Sequence, residues 1–187
     1  MKYIRRFRME VRCDAVSGTS ELPDGYRWVR WTPELARRHA RVKFLSFRSE
    51  IDTRLFSCFE TYRGCLKLMN DICRQSSFFP DSTWLIAKQS FVDLSTLDCG
   101  TIQGMRVAEK LGAIQNVGII RDARGLGLGR ALVVKAIEGF RETGAQRVYL
   151  EVTADNRPAV ALYESLGFRV TRTMFKAARR FSAPVRV

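Results

Sequence analysis

Residues 121–132, RDARGLGLGRAL, set three glycines at alternate positions between the apolar run NVGII and the helix-favouring run ALVVKAIEGFRE. A corner so poor in side chains lets the backbone take dihedrals that are costly for other residues and lets a ligand approach the main chain. At a helix start it also presents unpaired N–H groups reinforced by the local dipole, which is an anion site. The spacing therefore predicts strand, anion-binding turn and helix in that order, or else a turn whose glycines serve only close helix packing.

Phosphate-binding patterns can be tested against this run. A P-loop ends in Gly-Lys-Ser/Thr, whereas Gly129 is followed by Arg130 and Ala131. A dinucleotide fingerprint needs GxGxxG early in a mononucleotide-binding fold, but Gly125, Gly127 and Gly129 read GxGxG and most strands precede them.

The elements around the corner follow from periodicity. RRFRMEV and YRWVRW alternate as strands, with a turn-rich loop over 17–25 between them. Thr32, Pro33 and Glu34 look like a helix start, with the helix running towards Phe47. A second helical region is expected from about Leu55 to Gln75, interrupted near Gly64, and Pro80 to Thr83 should end this helical half. WLIAKQ and CGTIQGMRV read as strands joined around SFVDLSTLD, and AIQNVGII as another. After Gly129, Leu128, Leu132, Val133, Ala136, Ile137 and Phe140 share one helical face. Gly144 stops that helix, RVYLEVTA follows as a strand, NRPAVALYESLGF as a short helix ending at Gly167, and FRVTRTMFKAARRF as the last strand or strands. This order predicts an α/β (α+β) fold, a mixed, mainly antiparallel sheet flanked by helices, within one domain over 1–187.

The glycine corner resembles the acetyl-coenzyme A loop of the GCN5-related N-acetyltransferase (GNAT) superfamily, Arg/Gln-x-x-Gly-x-Gly/Ala, through Arg124, Gly127 and Gly129. TADNRPAVALYESLGF resembles that family's next strand end and helix, and the similarity spans 84–176, leaving 1–83 for the acceptor side and 177–187 as a tail. The resemblance implies a twisted sheet with two parallel strands splayed at the cofactor, and transfer of an acetyl group from acetyl-coenzyme A to an amine by direct attack. It implies cofactor contacts at Val117, Ile119, Ile120, Arg121, Arg124, Gly125, Leu126, Gly127, Leu128, Gly129, Arg130, Asn156 and Tyr163, with a free N–H near Val117 to Ile119 facing the thioester. Tyr163 becomes the general acid. One departure is Arg121-Asp122-Ala123 where the family often carries a proline; Arg121 is then a further phosphate contact.

The base is less determined: Glu151, in the strand beside the expected splay, is the candidate. Glu50 and Asp52 are candidates for holding a cationic acceptor, whether a small molecule or a protein or peptide amine. His39 reads as a helix-surface or packing residue. Alternatives are a catalytically weak coenzyme A-binding regulator, or a nucleic-acid-binding protein.

The charge of +13 favours an anionic ligand, but the basic residues are scattered and form no aromatic-and-basic binding motif, which argues against nucleic acid. The five cysteines contain no CxxC pair and there is one histidine, so no metal is expected. Without secretory features they point to reduced thiols and a cytoplasmic setting. No apolar run reaches the roughly 20 residues of a membrane helix, and a homodimer is compatible with the sequence.

Overall fold

The computed structural model describes residues 2–89 and 96–178. Strand β1 (Tyr3–Arg12) is followed by β2 (Tyr26–Arg30), helices α1 (Ala36–Phe47) and α2 (Tyr62–Cys73), then β3 (Phe78–Gln89), β4 (Thr96–Ala108) and β5 (Leu111–Ile119). Helix α3 (Leu128–Glu142), β6 (Arg147–Thr153), α4 (Arg157–Ser165) and β7 (Arg169–Ala177) complete the chain. The seven strands form one sheet in the order β2-β3-β4-β5-β6-β1-β7, antiparallel throughout except for the parallel pair β5–β6. The mainly antiparallel mixed sheet flanked by helices expected from the sequence is present.

The apolar face of α3 is the centre of the core: Leu128, Leu132, Val133, Ala136, Ile137 and Phe140 are all buried. Each fully buried aliphatic or aromatic side chain stabilises by about 1.5–3 kcal/mol relative to exposure. Gly144, at φ +86°, ends the helix as the sequence suggested.

Two expectations are corrected in the first half. The helical break falls at Thr61, not Gly64: a 3-10 turn (Ser57–Glu60) precedes α2, and the Thr61 hydroxyl accepts the Gly64 N–H at 3.0 Å as an N-cap. Gly64 lies inside the helix, and glycine is required there because a Cβ would stand 2.5 Å from the Cys58 carbonyl oxygen. Pro80 to Thr83 do not end the helical half; they belong to β3. Proline is tolerated because pairing with β4 jumps from Phe79↔Gly104 to Trp84↔Ile102, leaving an irregular stretch. Hydroxyls stitch that stretch down: Ser82 donates to the Ala136 carbonyl at 2.7 Å, and Thr83 accepts the Gly104 N–H at 3.1 Å. The expected β3–β4 connection falls largely in 90–95 and most of the tail in 179–187, outside the described residues.

Between α1, α2 and β4 lies a buried polar cluster. Lys43 is fully buried, donating to Gln103 Oε1 and lying 3.4 Å from Met69 Sδ. Gln103 Nε2 donates to Thr101 Oγ1 at 2.7 Å, and Thr101 Oγ1 lies 2.8 Å from His39 Nδ1. Burial drives the Lys43 ammonium down to about 7 and holds His39 well below its ordinary value, with the Lys43 charge adding to the effect on His39. His39 is thus the packing residue of the two roles expected for it.

Candidate active site

β5 and β6 pair only from Leu111↔Arg147 to Ile114↔Leu150. Beyond that point they separate, and the cause is local. β5 bulges against β4, where pairing shifts between Gln103↔Gln115 and Thr101↔Gly118, and Asn116 takes φ +53°. The extra residue bends β5 away from β6. A cavity of about 350 Å³ opens in the gap, lined by β5 from Ala113 to Val117 and β6 from Tyr149 to Val152, with Asn156, Ala159 and Tyr163 of α4 behind.

Backbone alternation decides which groups face this gap. The Ile120 N–H is held by the Cys99 carbonyl at 2.9 Å, on the β4 side. Successive residues of a strand direct their N–H groups to opposite edges, so the Ile119 N–H points to the diverged edge, whereas Val117 sits within the bulge, where that alternation is interrupted. Ile120, expected among the cofactor contacts, instead packs in the core with its N–H taken. The Ile119 carbonyl, also on the diverged edge, is not left open: Arg124 Nε donates to it at 3.1 Å.

The glycine loop leads from this gap into α3. Gly125 and Gly127 stand at φ +80° and +78°, and a Cβ on either would meet nothing within 4 Å. Tight packing therefore does not explain these two glycines; positive φ and open space do. The first hydrogen bond of the helix is from Ala131 N–H to Gly127 O at 3.1 Å, so the amides of Leu128, Gly129 and Arg130 precede the intrahelical ladder. Leu126 is half-exposed on the loop, whereas the Leu128 side chain is in the core. The open cradle and free helix start fit a pyrophosphate. Arg121 is exposed within a 3-10 turn (Arg121–Ala123), and Arg130 is turned to Ser165 Oγ at 2.6 Å, joining the start of α3 to the end of α4.

The Arg124 side chain is engaged within the protein. Its guanidinium is spent on the Ile119 carbonyl, the Ser46 carbonyl at 3.0 Å and Glu50 Oε1 at 2.7 Å. Glu50 is thereby committed to the loop, away from the cavity. Asp52, two residues on, does line the cavity, where its Oδ1 accepts from Thr153 Oγ1 at 2.7 Å and from Arg6 Nη1 at 3.1 Å.

Arg6 has no counterpart among the sequence candidates. Its guanidinium is buried in the cavity wall, donating also to Thr153 Oγ1 at 3.0 Å and to the Glu151 carbonyl at 3.1 Å. The sequence carried no signal for it: alternation along β1 puts Arg6 on the face of Ile4, Arg8 and Glu10, opposite the core residues Met9 and Val11. Glu151 brings its carboxylate to the cavity, with Oε2 3.8 Å from Arg6 Nε. Aromatic rings close one side of the cavity: Phe47 stacks on Phe59 at 4.5 Å, and Phe56 meets Phe59 edge-on at 5.9 Å.

Tyr163 is buried on α4 and reaches the cavity. Desolvation raises its phenol above the ordinary value, and the Asp52 charge adds to this, so it stays protonated through the physiological range. Asn156 caps α4, its Oδ1 accepting the Ala159 N–H at 3.3 Å, while also lining the cavity.

The chain matches the acetyltransferase (GNAT) family model over residues 61–168. A GCN5-related N-acetyltransferase from Sphaerobacter thermophilus superposes with a TM-score of 0.67 at 22% identity, covering 94% of this chain and 50% of that one. The ribosomal-protein-S18-alanine N-acetyltransferase from Escherichia coli gives a TM-score of 0.57 at 18% identity, covering 77% of each chain. A mycothiol acetyltransferase from Corynebacterium kroppenstedtii is 29% identical over 163 residues, 80% of this chain and 45% of its own length. Another, from Paenarthrobacter aurescens, is 48% identical over 58 residues, 31% of this chain and 18% of its own length. The chain thus spans less than half the length of these curated relatives. Among the described residues, no helix is long and apolar enough to cross a membrane. The splayed strands, the glycine cradle at the helix start and the matching family model together place the chain in the acetyltransferase (GNAT) family.

Proposed function

We propose that the chain transfers the acetyl group of acetyl-coenzyme A to an amine by direct attack in a ternary complex. The observation that carries this reading is the gap between β5 and β6, with Tyr163 at its back and an open glycine cradle at its end. Acetyl-coenzyme A supplies the activated acyl group as a thioester. The pyrophosphate is held by backbone N–H groups from Gly125 to Arg130. The amide of Val117 or Ile119 donates to the carbonyl oxygen as negative charge develops there.

The attacking amine must be neutral and must lose a proton on addition. Glu151 accepts that proton, directly or through water, from the open side of the cavity. Asp52 draws a cationic acceptor inward. Tyr163, kept protonated by its burial, donates to the departing sulfur. The aromatic rings of Phe47, Phe56 and Phe59 shape the acceptor side and exclude water from it. Relatives named as acetyltransferases of mycothiol and of a ribosomal-protein alanine support acetyl transfer as the reaction class.

The test is mass-spectrometric screening of the chain with acetyl-coenzyme A against small amines and peptides. An acceptor gaining an acetyl group, with Tyr163→Phe slower, is the expected result. Binding of acetyl-coenzyme A without transfer to any amine would leave a coenzyme A-binding regulator instead.

A further inference from the structure

We propose that the sheet face formed by β6, β1 and β7 is a docking surface for an acidic, extended segment of a polypeptide acceptor. The inference rests on the amine-acetylation reading and names the acceptor class. Residues directly opposite in a sheet share a face. The pairs Arg8↔Glu151, Glu10↔Tyr149 and Arg12↔Arg147 with β6, and Ile4↔Lys176, Arg8↔Arg172 and Glu10↔Arg169 with β7, therefore lie on one face. This face begins at the cavity, where Tyr149, Glu151, Arg6 and Lys176 form part of the wall. It ends at a second concavity of about 370 Å³ whose charged lining is Arg12, Arg141, Arg147 and Asp14.

Two of these pairs set like charges directly opposite each other, Arg8↔Arg172 and Arg12↔Arg147, an arrangement that costs stability unless an anion relieves it. Carboxylates of the chain relieve three of these four arginines and, among the described residues, leave Arg172 without one. Glu10 accepts from Arg8 at 3.0 Å and lies 3.7 Å from Arg147, and Asp14 is held by Arg12 at 2.5 Å. Arg169 and Arg172 are exposed and meet no carboxylate among the described residues. Along the face, Asp52 and Glu151 stand at the cavity beside Arg6 and Lys176, and Arg172 and Arg169, which meet no carboxylate among the described residues, lie farther along. A chain that enters with a positive amine and continues with acidic residues matches that order.

The length and chemistry favour a peptide over RNA. From Arg6 to Arg12 the strand runs about 20 Å, at roughly 3.3 Å per residue, which is the span of about six extended residues. Single-stranded nucleic acid needs exposed rings on which bases stack. The aromatic ring of this strip, Tyr149, is covered by the Arg8 guanidinium at 3.7 Å.

Docking can be read without turnover, using a labelled, N-terminally acetylated octapeptide of glutamate and glycine on the full chain at about 50 mM salt. Fluorescence anisotropy should show binding about tenfold or more tighter than for the glutamine counterpart. The double variant Arg147→Glu/Arg172→Glu should remove that preference while acetyl-coenzyme A affinity is retained. If the reversal impairs folding, Arg147→Gln/Arg172→Gln should still lower the preference severalfold. Among peptides that are acetylated, glutamates downstream of the amine should lower KM and leave kcat unchanged. Equal binding of the two octapeptides would overturn the proposal. So would a single-stranded RNA 12-mer that binds this face while the acidic octapeptide does not, or a dimer in sedimentation that the double variant dissolves. Docking without acetylation of any amine would remove the amine reading and leave the surface; acetylation of amines without docking would remove only the surface.

Discussion

Arg124 of the glycine loop and Glu50 after α1 form an ion pair, Nη1 to Oε1 2.7 Å, that ties the glycine loop to the segment following α1. The same guanidinium satisfies the Ile119 and Ser46 carbonyls. Both partners are about a third or more exposed, so the ion pair itself is worth at most about 1 kcal/mol. Glu50→Gln should therefore change stability by less than about 1 kcal/mol in urea unfolding and leave acceptor kinetics alone. Arg124→Ala strips two carbonyls of a donor and should cost about 0.5–1.5 kcal/mol, with a raised KM for acetyl-coenzyme A. Equal losses from both substitutions would show that the ion pair, not the backbone contacts, holds the loop.

Leu126 offers a strain-free probe of the pyrophosphate site, because its side chain is half-exposed beside the two positive-φ glycines. Leu126→Glu places a negative charge at the cradle without altering the backbone. Acetyl-coenzyme A affinity by calorimetry should fall about tenfold, the scale of roughly 1.4 kcal/mol of repulsion, and the loss should shrink as salt is raised. The melting temperature should stay near that of the parent. Affinity unchanged at low salt would place the pyrophosphate elsewhere.

Tyr163→Phe removes the phenol O–H and keeps the ring that packs 5.9 Å from Phe168. Loss of a positioned acid costs about 10²–10⁴-fold in rate, and the low end is expected because a thiolate with a pKa near that of cysteine, roughly 8.5, already leaves tolerably. Acetyl-coenzyme A binding and melting temperature should change little. Turnover equal to the parent, with chemistry rate-limiting, would take Tyr163 out of the mechanism.

Lys43 gives stability a pH dependence of definite sign. Its folded pKa, about 7, lies below the unfolded value of 10.5. Between those values the unfolded chain binds the extra proton, so stability rises with pH across that window and is flat below it. Burial acts oppositely on Cys65, pushed up to about 11 from 9.0, which removes stability above pH 9. The clean window is therefore about pH 7 to 9, with a slope near 1.4 kcal/mol per pH unit. Lys43→Met, a substitution of similar length beside Met69, should flatten that slope in denaturant titrations. The same slope in both proteins would assign it to other groups.

The local elements were legible because their causes are local. The six apolar positions of α3 recur at helical spacing and are all buried, and the glycines at 125, 127 and 144 take the positive φ that their residue type makes cheap. Element order also carried the mixed sheet. What the chain could not state by itself was which groups meet. Glu50 and Asp52 are two residues apart and alike in charge, yet one is drawn to Arg124 and the other to Arg6 and Thr153. Arg6 reads as an ordinary basic residue of an alternating strand. Its burial follows from the insertion of β1 between β6 and β7, which sets it against partners 46 and 147 residues away. Periodicity encodes the face that a residue shares with its neighbours in sequence; only the pairing of distant strands, and the bulge that parts β5 from β6, decides what that face encloses.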